Sequence, residues 1–574
     1  MQNTSQVASA LREIAALLEF SQAPKFKVLA YRRAVEVVET VADLAPFVEQ
    51  GRLVELQGIG ATLSRQIEEL WNTGSSQFLV RLRGEQPPGA SELVQLAGMT
   101  PRRLRVLLGA LAIRSVEELR DACLAGRVQT LPGFGKKTEQ RLLEACHAWL
   151  NRGEERPLPT LLSRALERAA VLEPELRQAS ERVQLVGELR RGRETVRQLE
   201  WVVLGEPREA LSQLAKLRQV LRVEPERAQA YLSEALKVQL YGASAALWGN
   251  AVVLATGSEA HVSALRQRAA ERGFSLQGWP GVAAEDRSAR AFATEHELYA
   301  ALDLPFLPAE LREGHDELAR AERGDFERLL SEQDIQGMVH CHTTYSDGKN
   351  SVLEMAEAAH ALGMQYLTIT DHSPSAHYAG GVSLDRLQQQ WDEIAAAEER
   401  VPIRILRGTE SDILADGSLD YPDAVLERFD VVIASIHARH RLDRTAMTAR
   451  LTRAMSLPIF KIWGHGLGRI LNHREAIDCD VPAVLDALAA SRGAIELNSD
   501  PHRLDLPPEW IPAARERNIP FVISVDAHST RGFAVLRYGA IMARRGGLRK
   551  NEVLNTEPAA RFAALVHPTK ARES

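Results

Sequence analysis

Aromatic residues are scarce. Phe, Trp and Tyr together make up 5% of the 574 residues, so the cores must be built chiefly from Leu, Ala, Val and Ile. Cysteine is scarcer still: Cys123, Cys146, Cys341 and Cys479 are the only four, and none stands close to another. That spacing excludes a disulfide framework and a cysteine zinc motif. Neither sign of charge dominates, with 70 Lys and Arg against 76 Asp and Glu, a formal net charge of -6. A uniformly basic coat for nucleic acid is excluded, although a basic face on one domain is not. No apolar run approaches ~18 residues, and the N-terminus lacks the charged-then-apolar order of a signal peptide. A soluble, cytoplasmic protein with no membrane partner is therefore expected. Hydrophobic residues at 45% and charged residues at 25% are enough for large cores and argue against wholesale disorder. The length predicts roughly three to five domains at ~100–200 residues each.

Residues 1–155 read as almost wholly helical. Leu11, Ile14, Leu17 and Leu18 fall at helical spacing, and Val35, Val38 and Val41 continue it. Three glycine-centred breaks interrupt the helices: Leu56-Gln57-Gly58-Ile59-Gly60, Leu96-Ala97-Gly98-Met99-Thr100 and Leu131-Pro132-Gly133-Phe134-Gly135. Gly133 and Gly135, followed by Lys136 and Lys137, have the form of a helix-hairpin-helix. Two glycines permit a tight turn whose N–H groups face a phosphate at the next helix's N-terminus, and the lysines add attraction that ignores base sequence. Gly58 and Gly60 form a second copy. The third is weak, because Thr100 replaces its second glycine. A single such turn is commonly structural, but two good copies, with Arg102, Arg103 and Arg105 beside the weak one, favour DNA binding.

Asn151–Pro159 reads as a charged, Pro-containing linker. From about 160 to 313 the pattern is mixed, with strands expected at Gln184–Val186, Leu199–Leu204 and Ala251–Leu254, and a charged helical stretch at Glu310–Gln333 leads onward. From Asp334 strand and helix alternate. Seven apolar runs, at Gly337–His340, Gln365–Thr370, Ile403–Leu406, Asp430–Ile436, Ile459–Trp463, Ala494–Leu497 and Phe521–Val525, predict a parallel β/α barrel or a related wound fold.

The sharpest signal lies where those strands end. His340 and His342 are two apart, so an extended chain points both to one side. Asp347 follows in a turn, Asp371-His372 ends the second strand, Glu410 follows the third, His437 ends the fourth and His465 the fifth. Asp526 and His528 close the seventh. Carboxyl strand ends of a β/α barrel converge on one face, and imidazoles with carboxylates there suit Zn²⁺, Mn²⁺ or Fe²⁺. Leaving Asp371 aside, the other nine exceed what one ion can use, so two or three are implied. Arg439, Arg469 and Arg503 follow three strand ends and are candidates to hold phosphate oxygens, with surface ion pairing the equal alternative for each.

This stretch resembles the polymerase and histidinol phosphatase (PHP) domain, through His340-Cys341-His342 with Asp347, Thr370-Asp371-His372, Glu410, Ala434-Ser435-Ile436-His437, Gly464-His465 and Asp526-Ala527-His528. The resemblance covers about residues 336–560. It implies a distorted seven-stranded barrel with a trinuclear site that hydrolyses phosphoesters, its ligands His340, His342, Asp347, His372, Glu410, His437, His465, Asp526 and His528. Gly466-Leu467 stands where close relatives have Pro-Thr, which alters a loop and leaves the ligand.

Residues 1–313 resemble the bacterial family X DNA polymerases, which carry such a domain at their C-terminus. Lys25-Phe26-Lys27 with Ala30-Tyr31-Arg32-Arg33 looks like their DNA-end-binding start, Gly187-Glu188-Leu189-Arg190-Arg191-Gly192 like their nucleotide-phosphate motif, and Thr256-Gly257-Ser258 like their later turn. The resemblance implies an end-binding domain over 1–80, a fingers-like domain over 81–155, an α+β nucleotidyltransferase-like palm over 156–255, a thumb over 256–313, a linker over 314–335 and the PHP domain over 336–574. The catalytic positions depart from the family. Where it places three aspartates, this chain has Gln198, Glu200 and Gln239. Two amides and one longer carboxylate cannot hold two Mg²⁺ ions. Glu188 replaces a serine that bonds the triphosphate, Leu254-Ala255 an aromatic pair facing the sugar, and Val262 an asparagine beside the base. An inactive polymerase is expected, kept to hold DNA for a metal-dependent phosphoesterase, a 3′–5′ exonuclease or an enzyme of abasic sites. Gapped, nicked or 3′-ended DNA is then the expected partner, on the nucleoid. A small-molecule phosphatase and a DNA scaffold with a structural metal site are the alternatives.

Overall fold

The computed structural model describes residues 4–40, 44, 47, 48, 51–56, 58–73, 76–87, 89–96, 98–111, 113–150, 158–233, 236–276, 288–440 and 442–569. Val41, Gln57, Ala97 and linker residues 151–157 lie outside them. The chain forms two compact units, Met1–Arg156 and Pro157–Ser574.

The first unit is helical, as expected. Leu11, Ile14, Leu17 and Leu18, at helical spacing in Thr4–Phe20, are all buried in its core. Its glycine breaks are three equivalent turns. Gly58, Gly98 and Gly133 adopt φ +103°, +81° and +83°, and the next residue donates its N–H back to a leucine carbonyl: Ile59 to Leu56 at 2.9 Å, Met99 to Leu96 at 3.0 Å and Phe134 to Leu131 at 3.0 Å. Each turn leads into a helix, Ala61–Thr73, Pro101–Leu111 and Lys136–Leu150. The third copy is therefore as well formed as the others. Thr100 replaces the glycine without changing the turn, and its hydroxyl accepts the Arg103 N–H at 3.2 Å.

The second unit opens with a five-stranded sheet: β1 (Val183–Val186), β2 (Gln198–Leu204), β3 (Arg222–Glu224), β4 (Gln229–Tyr231) and β5 (Lys237–Ala243), in the order β1-β2-β5-β4-β3. Only β2 and β5 run parallel; the other neighbours are antiparallel. Ala251–Leu254, expected as a strand, lies instead inside the helix Trp248–Thr256. All nine residues of that helix are buried, so its apolar run carries no periodicity to separate helix from strand. The expected helix over Glu310–Gln333 is likewise reduced to Glu317–Glu322 with short 3₁₀ turns, because Gly314 and Gly324 turn the chain at φ +84° and +75°.

Seven parallel strands follow: β6 (Gly337–Cys341), β7 (Tyr366–Ile369), β8 (Arg404–Asp412), β9 (Val431–Ser435), β10 (Lys461–Trp463), β11 (Gly493–Asn498) and β12 (Phe521–Ser524), paired in sequence order. Val525 donates to Val339 at 3.0 Å and His342 to Ala527 at 2.9 Å, which nearly closes the sheet into a barrel. Glu410 pairs in register with Ile433, so both face the interior. Below the polar floor Ile433 joins Val339, Leu406 and Ile462 in an apolar cluster sealed by Phe562 and Val566 of the helix Ala559–Val566. The five-stranded core is packed directly on the barrel. Leu504, Tyr538 and Met542 share one apolar cluster with Leu199 and Trp201. At Gly192, with φ +68°, a Cβ would fall 2.3 Å from Ile541 Cγ2, so only glycine permits that approach.

Candidate metal centre

The barrel's carboxyl strand ends bring the nine expected residues together. Three overlapping groups have ligand atoms within 4.8 Å of one another: His342, Asp347, His372 and His528; His340, His342 and Asp526; and His372, Glu410 and His437. His465 Nε2 lies 2.8 Å from Glu410 Oε1. Strand alternation does not aim the first pair, as the sequence suggested. A register shift between Met338 and Cys341 and φ +67° at His340 form a bulge that turns both rings inward, 5.2 Å apart. His465 and Asp526 also have positive φ, at +24° and +47°. Backbone held in such sparsely populated regions clusters at functional sites.

The donor set fits a divalent cation. His340 Nε2, both nitrogens of His342, His372 Nδ1 and His465 Nδ1 are buried without a hydrogen-bond partner, an arrangement costing about 1–3 kcal/mol per atom in a protein without a cation there. Facing them are carboxylates kept ionised. Burial would raise Glu410, but His437, His340 and His372 hold it well below the usual range, and His340 does the same for buried Asp526. Burial, reinforced by His528, lowers His342 to about 4, so that imidazole is neutral as a metal ligand must be. Against burial, the neighbouring carboxylates raise His437 to about 10 and His528 to about 9, positive charge that a bound cation would replace.

Two anchors of the site were missed by sequence reasoning. Glu496, on β11, lies 2.5 Å from His340 Nδ1, and Asp412, at the end of β8, bonds His437 Nδ1. A carboxylate on the second nitrogen fixes the ring and raises its basicity. An acid inside the apolar run Ala494–Leu497 was the available signal for Glu496. Asp371 lies in none of the three groups; it accepts from Thr343 N at 2.7 Å, Thr343 Oγ1 at 2.6 Å and Gln390 Nε2 at 2.7 Å.

The three arginines separate. Arg503 Nε lies 3.7 Å from Asp526 Oδ2, at the site's edge. Arg439 is exposed after β9, with φ +58°. Arg469 is turned away from that role: it donates to the carbonyls of Arg503, at 2.9 Å, and Leu504, and to Glu194 Oε1 at 3.4 Å. Its guanidinium is already committed.

In the five-stranded core, the positions that depart from the polymerase pattern bond to neighbouring groups of the chain. Tyr241 donates to buried Glu200 at 2.8 Å, and burial raises the Glu200 pKa. Gln239 accepts from Gln229 at 2.6 Å and donates to the Arg227 and Leu240 carbonyls at 3.1 and 3.0 Å. Gln198 also bonds Glu200, and Glu188 Oε2 accepts the Arg197 N–H at 3.4 Å. Arg190 is paired with Glu295 at 2.6 Å and Arg191 with Glu313 at 3.1 Å.

Family comparisons match a helix-hairpin-helix domain over residues 2–76, a SAM-like helix-hairpin-helix tandem over 90–148, a DNA polymerase beta thumb over 251–313 and a PHP domain over 339–500. The DNA polymerase/3′-5′ exonuclease PolX of Bacillus subtilis is 33% identical over 554 residues, spanning 95% of this chain and 96% of that protein. The chain belongs to the family X DNA polymerases with a C-terminal PHP domain. Family X membership with these helix-hairpin-helix and thumb domains indicates DNA binding, and the PHP domain a metal-dependent hydrolase. A smaller part of the chain is similar to proteins named "Probable phosphatase": one from Aeromonas hydrophila is 24% identical over 237 residues, 38% of this chain and 89% of the relative. Another, from Caldanaerobacter subterraneus, is 29% identical over 166 residues, 28% of this chain and 61% of the relative. Among the described residues no helix is long and apolar enough to cross a membrane.

Proposed function

We propose that the chain is a DNA-processing metal-dependent phosphoesterase of DNA repair that acts at 3′ ends as a 3′–5′ exonuclease, or at abasic sites, and that it has lost polymerase activity. The observation carrying this reading is the three overlapping ligand groups, which share His342 and His372 on one barrel face. Two or three divalent ions, Mn²⁺ or Zn²⁺ with Fe²⁺ the alternative, would be held by His340, His342, Asp347, His372, Glu410, His437, His465, Asp526 and His528. Such ions lower the pKa of bound water and neutralise charge on phosphate. Glu496 and Asp412 orient the imidazoles, while Arg503 and Arg439 hold phosphate oxygens at the rim.

The hairpins hold the duplex. A Cβ at Gly60, Gly133 or Gly135 would meet nothing within 4 Å, and neither Gly60 nor Gly135 has positive φ. The fold itself does not require glycine at those two positions; close approach of a phosphate does. The former polymerase site supports loss of synthesis, since a buried, hydrogen-bonded Glu200 and two amides leave no cluster of anionic oxygens for Mg²⁺.

The likeness of part of the chain to the phosphatases favours one second reading, hydrolysis of small phosphomonoesters. An activity panel of recessed, blocked and abasic DNA against free monoesters decides. Release of nucleotides from 3′ ends supports the proposal; turnover of monoesters alone supports the second reading.

A further inference from the structure

Glu194 belongs to the five-stranded core, yet it lies against the barrel. Arg545, from the barrel helix Leu536–Arg545, donates to its Oε2 at 2.5 Å, and Arg469 reaches its Oε1 at 3.4 Å. The side chains of all three are nearly buried, 14%, 6% and 13% exposed. Burial opposes ionisation of Glu194, but Arg545 and Arg469 lower its pKa to about 2, so the carboxylate is charged.

Arg469 transmits that hold. Its Nε and the same Nη2 that meets Glu194 grip the carbonyls of Arg503 and Leu504, in the turn that presents the Arg503 guanidinium to Asp526. Nearby, Asp505 accepts the Leu467 N–H at 3.1 Å, two residues past His465, and Asn498 donates to Asp526 at 3.1 Å. On the other side Arg545 also approaches Glu313 at 3.8 Å, the acid paired with Arg191 of the nucleotide-phosphate motif and with Arg193 just after it. A charged chain therefore runs from the nucleotide motif through Glu313, Arg545, Glu194 and Arg469 to the turn carrying Arg503.

Resting on the phosphoesterase reading above, we propose that Glu194 is a positioning residue for hydrolysis, acting through Arg469 to hold Arg503 at the phosphate. The core then does more than hold DNA: it completes the hydrolytic site's substrate clamp. Glu194 touches neither a candidate ligand nor the substrate, so the defect expected on its neutralisation is misplacement of Arg503 with the metal complement intact.

The test is steady-state hydrolysis of a single-stranded DNA 3′ end by the full-length, metal-loaded protein, comparing wild type, Glu194→Gln, Glu194→Asp, Arg503→Ala and the Glu194→Gln/Arg503→Ala double variant. Bound metal and thermal unfolding are measured alongside. Glu194→Gln should lower kcat/KM by about 10- to 100-fold, the scale of a small misplacement of a substrate-holding group, with metal content unchanged. Glu194→Asp, which keeps the charge, should recover part of the loss. The double variant should be no worse than Arg503→Ala alone, because both changes remove one device. Wild-type rates in Glu194→Gln, or losses that multiply in the double variant, overturn the proposal. If Glu194→Gln unfolds or loses metal, Arg469→Lys takes its place, and full activity or multiplied losses there overturn it too. A wild type that cleaves no DNA refutes the phosphoesterase reading itself, a result separate from these.

Discussion

Tyr241 donates its hydroxyl to Glu200 at 2.8 Å, across neighbouring strands β2 and β5, where the family's polymerases need bare carboxylates. Burial raises the pKa of Glu200 while the hydrogen bonds from Tyr241 and Gln198 oppose that rise, and those bonds occupy the carboxyl oxygens that a cation would need. Templated primer extension should be undetectable with Mg²⁺ or Mn²⁺, measured on protein carrying His340→Ala/His342→Ala so that degradation cannot mask synthesis. Robust extension would show that a site built on Glu200 alone suffices.

Duplex binding should depend on the hairpin at Gly133. Lys136 and Lys137 are exposed at the first turn of the helix Lys136–Leu150, where they add to the field of its N-terminus. Replacing both with glutamate should weaken duplex affinity more at low salt than at high salt, and should lower the salt slope by about 2. Affinity unchanged across a salt titration would return this turn to a purely structural role.

Acid should loosen the contact between core and barrel. Glu194 has its pKa lowered from 4.5 to about 2 by Arg545 and Arg469, against burial. A depressed carboxylate contributes stability that is fully present above the unfolded value and lost as pH falls through the folded one. The contribution is about 3 kcal/mol at neutral pH. The stability gap between wild type and Glu194→Gln should therefore be widest above about pH 5 and shrink towards pH 2, as read by denaturant unfolding at several pH values. A gap that is constant with pH would mean that the charge contributes nothing.

Much of the site was legible because a barrel puts its chemistry at strand ends, where a polar residue after an apolar run stands out. His437 after Ile436 and His465 after Trp463 are of this kind. Glu496 was not, because it sits inside its strand and reads as one more strand residue until His340 is seen beside it. The inward turn of His340 and His342 was anticipated for the wrong reason, since a bulge at φ +67° breaks the alternation that seemed to cause it. Trp248–Thr256 was misjudged because a helix buried on every side has no polar face to mark its period. The role of Arg469 depends on Glu194, 275 residues away, and no local pattern encodes such a partner. The turn at Gly98 forms like the other two because only its first glycine needs positive φ; Thr100 affects how closely a phosphate approaches, which is separate from the turn geometry.

The central claim is that the clustered histidines and carboxylates hold metal and hydrolyse phosphoesters. His340 and His342 belong to the same group with Asp526, and their joint replacement by alanine removes three buried, unpartnered nitrogens. The most direct measurement is elemental analysis paired with 3′-end hydrolysis on wild type and His340→Ala/His342→Ala. Wild type should carry more than one transition-metal ion per chain and release nucleotides. The double variant should hold fewer ions and lose hydrolysis while still binding duplex through the hairpins. Cleavage by the double variant at the wild-type rate would contradict the assignment.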